Sequence, residues 1–516
     1  MKRVNINIII QNMKKFLLLL IITSLTIKFS YAQQVNGVIL SDTANITIVK
    51  LWGTHEERGF AYGYLLGEKI TNIVEDYVIP LFGIYLPAAR NIIIEGQDLV
   101  IDSIYKEEAA AIVAGMNSAG TNQADIDYID VLVFNSFLDI AKLLGVTFRN
   151  SPMGCSSLMD WSDATLGTDL DGKSVISRHL DWEPASALIS NQIMAIHIPS
   201  EADEQPWLLI GFAGHIFALS GLNESGLSAF MHVLSDFYGN AQHNKTYEPI
   251  WLTIRKFLES NDFNNDGTNN TQDMRDAVSI NVNGYADGFI ITSLAPSTET
   301  YDSLIALVAE LAPQEPYLTF RSKSYEDIIP GDNLYAANWE IKRNNNHHYC
   351  TRYNAISYAI GDGINISSSE NWNLMKNYSN AGLGNIQFMQ AIPEFQILKL
   401  SVHRNGVPAY LNNPVTYDLN YLFSPITDIT EKSQFINSIN IYPNPATTSI
   451  YLESDFSSGN PEYFIYDLQG KLIESGKLNI NLSSQINISN IDEGAYILKV
   501  LDGNKTDRVK FVKQAH

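Results

Sequence analysis

The chain has 516 residues, with 34 Lys and Arg against 56 Asp and Glu and a formal net charge of −22 at pH 7. A balance this negative repels phosphate backbones and excludes nucleic acid as a partner, while the length exceeds what one hydrophobic core usually serves and predicts two or more domains. The only two cysteines, Cys155 and Cys350, admit two readings: a single structural disulfide, or one catalytic thiol and a bystander.

Residues 1–32 open with Lys2, Arg3, Lys14 and Lys15, continue through the apolar run Phe16 to Ile22, and close on Ser30-Tyr31-Ala32. This is the pattern of a secretory signal cleaved after Ala32. The competing reading is a membrane anchor, but Thr23, Ser24, Thr26 and Lys28 interrupt the run short of a bilayer span. No later segment is expected to span a membrane. Residues 33–154 read as a helical segment. Gly59, Gly63 and Gly67 recur every fourth residue, which lays them along one side of a helix where a second backbone can approach. Further helices are predicted over Lys106 to Met116 and Tyr128 to Ala141.

From Cys155 to about residue 425 the texture changes to β-branched runs. Strands are predicted over Ser174 to Ser177, Gln192 to Ile198, Trp207 to Phe212, Leu227 to Leu234 and Phe289 to Leu294. Helices are expected at Ile250 to Glu259 and Ser303 to Leu311, and a strand pair at Gln396 to His403 and Ala409 to Leu411. Helices before and between strands imply a layered α/β domain. A polar linker covers residues 426–438. The module over 439–516 reads as strands throughout, with turns at Asp467 to Lys471 and at Gly494, and implies a small all-β sandwich.

The chemistry concentrates at Gly154-Cys155-Ser156-Ser157 and at Arg178-His179-Leu180-Asp181-Trp182. If the bond between Gly154 and Cys155 is cut, Cys155 gains an α-amine whose pKa near neutrality makes it a local general base, so one residue holds nucleophile and base together. Arg178 would favour the thiolate, and Asp181 could orient the amine. The two are three residues apart, so on a regular strand they face opposite sides. Their convergence on Cys155 requires the strand to end or bend near residue 180. Arg178 with Asp181 as a merely structural ion pair is the plain alternative.

Those segments, with Gly53 to Gly63, Asp130 to Asn135 and Leu219 to Leu227, resemble the acyl-coenzyme A:isopenicillin N acyltransferase family and its relatives acid ceramidase and N-acylethanolamine amidase. The resemblance implies a four-layer αββα N-terminal-nucleophile hydrolase sandwich and self-cleavage between Gly154 and Cys155. Two segments, 33–154 and 155–425, would then form a noncovalent α/β subunit pair. It implies catalytic roles for Cys155, Arg178 and Asp181, and, from Ala337-Asn338-Trp339 and Thr351-Arg352-Tyr353, an oxyanion donor in Asn338 and a carboxylate partner in Arg352. Two departures stand out: an apparent insertion at Ala164 to Leu170, and His232 where the family often has Asn. The tail, through Tyr442-Pro443-Asn444-Pro445, Tyr466-Asp467 and Gly494 to Val500, resembles the C-terminal sorting domain of type IX secretion substrates. That implies the secretion machinery as a partner and a location outside the cell or on its surface.

Asp262-Phe263-Asn264-Asn265-Asp266-Gly267-Thr268 with Asp273 fits a calcium loop, offering side-chain oxygens from Asp262, Asn264, Asp266 and Asp273 and the carbonyl of Thr268. Asp273 stands where Glu is usual, as in dockerin-type loops. An Asn-rich solvent loop is the alternative. The ion would be structural, and no cofactor is expected for catalysis. The function expected is hydrolysis of a linear carbon–nitrogen bond in an N-acyl amide, a lipid amide or ceramide among them, through a Cys155 thioester. The rivals are an acyltransferase or a penicillin or bile-salt amidase on the same fold, and a non-catalytic secreted binding protein.

Overall fold

Two antiparallel hairpins, one in each sheet, set the frame of the main unit. In the first, β1 (Gly37–Thr43) returns on β2 (Ile46–Gly53); in the second, β3 (Gly154–Asp160) returns on β4 (Val175–Asp181). The structure, a computed structural model, describes residues 34–425 and 440–514 apart from 44, 147–153, 235–240, 243, 298–301, 326, 380, 454–460, 468–471, 479–483 and 503–504. The expected signal and the 426–438 linker lie outside the described residues. The chain divides into two compact units, one ending at Ser424 and one beginning at Pro425.

The first unit holds two sheets. The nine-stranded sheet adds β5 (Gln192–Pro199), β6 (Trp207–Phe212), β7 (Ser220–Asn223), β8 (Ser228–Val233), β9 (Phe289–Leu294), β10 (Ala306–Leu311) and β11 (Leu318–Arg321) to the first hairpin in chain order. Only the β2–β5 pairing among them is parallel. The six-stranded sheet runs β12 (Asn333–Ala336), β3, β4, β13 (Asn385–Ile392), β14 (Ile397–Val402), β15 (Val415–Asp418).

Strand alternation sends one set of side chains between the sheets. Met159, Ile176, Met389 and Leu398 from one sheet meet Met194, Ile196, Leu208, Phe230 and Ile290 from the other in a common core. The outer face of the nine-stranded sheet packs on α1 (His55–Ile73), α2 (Ser103–Ala119), α3 (Tyr128–Asn135), α4 (Phe137–Leu143), α5 (Ile250–Glu259) and α6 (Thr271–Ser279). The outer face of the other carries α7 (Thr351–Ala359) and α8 (Ser368–Tyr378), through Leu158, Tyr335 and Phe388 against Tyr353, Ile356 and Met375. Helices, sheet, sheet, helices: the unit is a four-layer αββα sandwich.

The glycine side of α1 does what its spacing foretold. A Cβ on Gly63 would lie 1.9 Å from the Ile112 carbonyl oxygen, and one on Gly115 would lie 2.1 Å from that of Phe60. The backbones of α1 and α2 therefore cross in direct contact.

Three expectations need correction. The helix over Ser303 to Leu311 stops at Ile305, and Ala306–Leu311 is strand β10, buried at every position and paired on both edges. A continuous apolar run has no periodicity to tell the two apart. The helix over Tyr128 to Ala141 breaks at Ser136, whose ψ of 15° and φ of −130° leave the helical region. Ala409–Leu411 is a 3-10 turn, and β14 pairs instead with β15 on one edge and with β13 on the other, where interspersed Gln387 and Gln390 masked β13 as a strand. One further helical stretch, His55–Glu95, reaches a mean hydropathy of 1.5 and is long and apolar enough to cross a membrane, although Gly83 at φ +50° interrupts it.

In the second unit a three-stranded sheet, β16 (Asn440–Tyr442), β17 (Ser449–Glu453) and β20 (Ser484–Asn487), shares a core with a four-stranded one, β19 (Leu472–Lys477), β18 (Glu462–Asp467), β21 (Gly494–Asp502) and β22 (Lys505–Lys513). Ile450, Leu452 and Ile486 pack with Ile465, Leu498 and Phe511.

Candidate active site

Antiparallel register puts Cys155 opposite Leu180 and Ser157 opposite Arg178 on the second hairpin, so Cys155 and Arg178 point the same way, between the sheets. The Arg178 Nη2 lies 3.8 Å from the Cys155 sulfur and donates to the Met231 carbonyl oxygen at 2.9 Å. Arg178 is fully buried, and its Nε and Nη1 have no hydrogen-bond partner among the described residues. Burial pushes the Cys155 thiol up, and the Arg178 charge is the largest influence drawing it back.

Asp181 faces the other way, as strand periodicity requires. Its carboxylate pairs with Arg352 at 3.0 Å and accepts from Asn385 Nδ2 at 2.8 Å. No bend at residue 180 aims it at the thiol; instead Arg352, from the start of α7, reaches round the strand end. Arg352 Nη1 donates to the Cys155 carbonyl oxygen and to Asn338 Oδ1, both at 3.3 Å. Gly154 makes room for this guanidinium, since a Cβ there would sit 2.4 Å from Nη1 and Nη2. Burial, offset first by Arg352, pushes the Asp181 carboxyl up.

Asn338 completes the group. Its Oδ1 accepts from the Cys155 backbone N–H at 2.9 Å, and its Nδ2 donates to the Val233 carbonyl oxygen at 2.6 Å. The other four candidate residues thus converge around Cys155. Cys350, the other thiol, is buried and outside any disulfide, as is Cys155; its sulfur accepts from the Tyr353 N–H at 3.4 Å at the start of α7.

Sequence reasoning missed Asn385, the two β8 carbonyls and the role of His232. Burial pushes His232 down to about 3, so it is neutral. Its Nδ1 lies 3.0 Å from the Ala337 carbonyl oxygen, which can only accept, so Nδ1 carries the proton and Nε2 accepts from Ser157 Oγ at 2.9 Å. His232 therefore ties β3 to the residue beside Asn338 without entering the site.

A pocket opens beside the thiol. Tyr77, Phe134, Phe137, Leu180, Trp182, Leu188, Phe212, Leu219, Met231, Val233 and Trp251 line it with Cys155 and His215. Three of these aromatics precede Cys155 and the rest follow it, so residues on both sides of the Gly154–Cys155 bond form one wall.

The loop between α5 and α6 folds around its own acids. Asp262 accepts from the Asp266 and Gly267 N–H groups at 3.1 and 2.7 Å, and Asp266 from the Thr268 N–H at 2.9 Å. Asn264 Nδ2 donates to Asp266 at 3.1 Å. Asp273 spends both oxygens at 2.7 Å on the Phe263 and Asn270 N–H groups. Burial first, then the charges of Asp262 and Asp266, push its carboxyl up, against those two hydrogen bonds. Mutually repelling oxygen donors suit a hard cation. Among the described residues the only His, Cys, Asp or Glu trio with donor atoms within 4.8 Å of one another is His55, Glu204 and Glu259. There Arg58 and Arg255 already supply the positive charge, at 2.9 Å from Glu204 and 2.7 Å from Glu259.

Comparison with known proteins separates the two units. Residues 440–514 match the family model of the secretion system C-terminal sorting domain. The tail is such a domain, and it directs export by the type IX route to the cell surface or beyond. Solved structures to which the chain shows a likeness include the Caenorhabditis elegans ortholog of N-acylethanolamine-hydrolyzing acid amidase, at 13% identity over 46% of this chain and 93% of that one with a TM-score of 0.33. Another is a variant of conjugated bile acid hydrolase from Clostridium perfringens, at 14% identity over 52% and 94% with a TM-score of 0.35. A curated relative, protein dcd1B of Dictyostelium discoideum, is 21% identical over 241 residues, 42% of this chain and 43% of that protein. The match thus spans less than half of the relative's length.

Proposed function

We propose that the chain is an exported precursor of a cysteine amidase, activated by cleavage between Gly154 and Cys155 and acting on linear N-acyl amides. One observation carries this reading: Cys155 sits against a buried guanidinium whose remaining donors have no partner, 3.8 Å from its sulfur. A charge left so poorly compensated favours an anion beside it, and the thiolate is the anion at hand.

Cleavage turns the Cys155 nitrogen, already held by Asn338 Oδ1 at 2.9 Å, into the α-amine. That amine takes the thiol proton, and the thiolate attacks the substrate carbonyl carbon. The tetrahedral oxyanion then draws on the second N–H of Asn338 Nδ2 and on Arg178. Collapse expels the amine, which takes the proton back from the ammonium, and leaves a thioester that water hydrolyses with the α-amine as base. Asp181 and Arg352 keep the new N-terminus in place. The apolar wall receives the acyl group, and segments 33–154 and 155–425 remain associated as two chains.

N-terminal sequencing of purified protein tests this directly. A sequence beginning Cys155-Ser156-Ser157 is expected, and Cys155→Ala should abolish both cut and amide hydrolysis. An intact Gly154–Cys155 bond in secreted protein would return the chain to the non-catalytic binding class, and a cut Cys155→Ala protein would sink self-cleavage.

Calcium belongs to the same proposal in a structural role, held by Asp262, Asn264, Asp266, Asp273 and the Thr268 carbonyl. Binding must pull Asp273 from the amides it caps, so affinity should be modest. Millimolar calcium is expected to raise the melting temperature of wild-type protein, and Asp262→Asn with Asp266→Asn to remove that increment. An identical melt with calcium and with chelator would exclude the ion.

A further inference from the structure

Besides the thiol, the pocket beside Cys155 is lined by four side chains that carry polar atoms, Tyr77, Trp182, His215 and Trp251, and the last two are not satisfied. His215 is 1% exposed, and both its ring nitrogens lack a hydrogen-bond partner among the described residues; so does Nε1 of Trp251. The two rings lie 5.0 Å apart, and both line the pocket with the thiol. The contrast is within the same wall: Trp182 Nε1 donates to the Tyr77 hydroxyl at 2.7 Å. An unpaired imidazole alone is no site. His197 is also unpaired among the described residues, but it stacks on Trp207 at 4.4 Å and does not line this pocket.

Resting on the amidase reading, we infer that His215 and Trp251 are specificity-determining residues that recognise a hydroxyl on the acyl group of the substrate. Trp251 can only donate, so the ligand atom must accept. His215 is held by Phe134, stacked at 4.3 Å, and by Phe212 edge-on at 5.7 Å. A Cβ on Gly211 would come within 2.7 Å of its Nδ1, so the glycine lets the imidazole back onto β6 and leaves Nε2 for a ligand. Burial pushes this histidine down to about 3. A neutral imidazole nitrogen either donates or accepts, and a hydroxyl, which can do both, matches it in either tautomer. A hydroxyl satisfies both partners at once, accepting from Trp251 and exchanging a hydrogen bond with Nε2. A plain hydrocarbon chain would fill the same space and leave both polar groups unpaired, which is the situation that gives a site its power to reject the analogue lacking the hydroxyl.

The test uses the processed protein and matched aminocoumarin amides, phenylacetyl against 4-hydroxyphenylacetyl and decanoyl against a series of hydroxydecanoyl isomers. At least one hydroxylated probe is expected to exceed its parent in kcat/KM by about tenfold or more. That ratio should fall toward one in His215→Phe and in Trp251→Phe, with normal cleavage before Cys155 reporting that each variant folds. A ratio near one for every pair in the wild type, or a ratio unchanged in His215→Phe, overturns the inference. If processed protein hydrolyses none of the amides, it is the amidase reading that fails. Calorimetry with the corresponding free acids then decides the pocket by itself: tighter binding of a hydroxylated acid, lost in His215→Phe, supports recognition, and equal binding refutes it.

Discussion

Gly154, on the upstream side of the proposed cut, matters in this structure through the absence of a side chain. The Arg352 guanidinium occupies the space of the missing Cβ, at 2.4 Å, and from there holds Asp181 at 3.0 Å. Gly154→Ala displaces the flexible end of Arg352 and not a backbone, so the fold should survive with a loss of about 1–3 kcal/mol, the usual cost of overpacking. Precursor cleavage should slow at least tenfold, as followed by gel from the time of refolding; cleavage at the wild-type rate would show that the Arg352 position is immaterial. At this scale the sequence was most informative about types and least about directions. Cys155, Arg178, Asp181, Asn338 and Arg352 do meet, yet the strand period that set Arg178 and Asp181 on opposite faces is obeyed, and a guanidinium from α7 bridges the gap. Asn385, His215 and Trp251 carried no local signal, because each gains its place from strands or helices distant in sequence.

Among elements, the contact of α1 and α2 was legible because glycine spacing is a local pattern. The charge seam beneath it was not. His55 of α1 lies 2.6 Å from Glu108 of α2 and 2.6 Å from Glu204 beyond β5, while Arg255 of α5 reaches Glu108 at 2.7 Å. Burial works against a charged imidazole here, but the hydrogen bonds to Glu108 and Glu204 prevail and push His55 up from 6.5 to about 9. A raised folded pKa contributes stability that is complete below 6.5 and is lost as pH climbs through about 9. Glu108 is moved oppositely: burial would raise it, but Arg255 and His55 hold it well below its ordinary 4.5, so its share is lost on acidification. The contribution of this His55–Glu108 pair to stability should therefore be greatest between about 4.5 and 6.5, and its loss on the alkaline side should amount to something on the order of 3 kcal/mol. His55→Gln should flatten that alkaline arm in a series of melts, and an arm of unchanged slope would remove His55 from the account. Strand β10 is the complementary lesson, since a run buried on both faces is written in the same residues as a buried helix.

For the whole molecule, division of labour follows from separate cores. The tail packs Ile450, Ile465, Leu498 and Phe511 on one another, while the αββα unit closes its own interior without them. The tail motifs made the sorting domain readable from sequence, since turns and short strands are local. The depth of the four layers was readable only through resemblance, because sheet order is a property of contacts between distant residues. Removing residues 440–516 should leave the melting temperature of the first unit within about 2 °C, a shift below what the loss of a small contact usually gives, and should keep the truncated chain inside the cell when fractions are assayed. Appearance of the truncated chain in the medium at the full-length level would separate export from the tail.

The pocket wall built from both sides of the Gly154–Cys155 bond has a kinetic consequence. Before cleavage, Tyr77, Phe134 and Phe137 reach Trp182, Phe212 and Trp251 within one chain, so assembly is first order and indifferent to concentration. After the proposed cut the same surfaces belong to two molecules, and recovery from unfolding becomes a second-order encounter that dilution defeats. The protein would then be able to assemble its active form readily only once, on the way out of the cell, and its lifetime outside would be set by how slowly the pair comes apart.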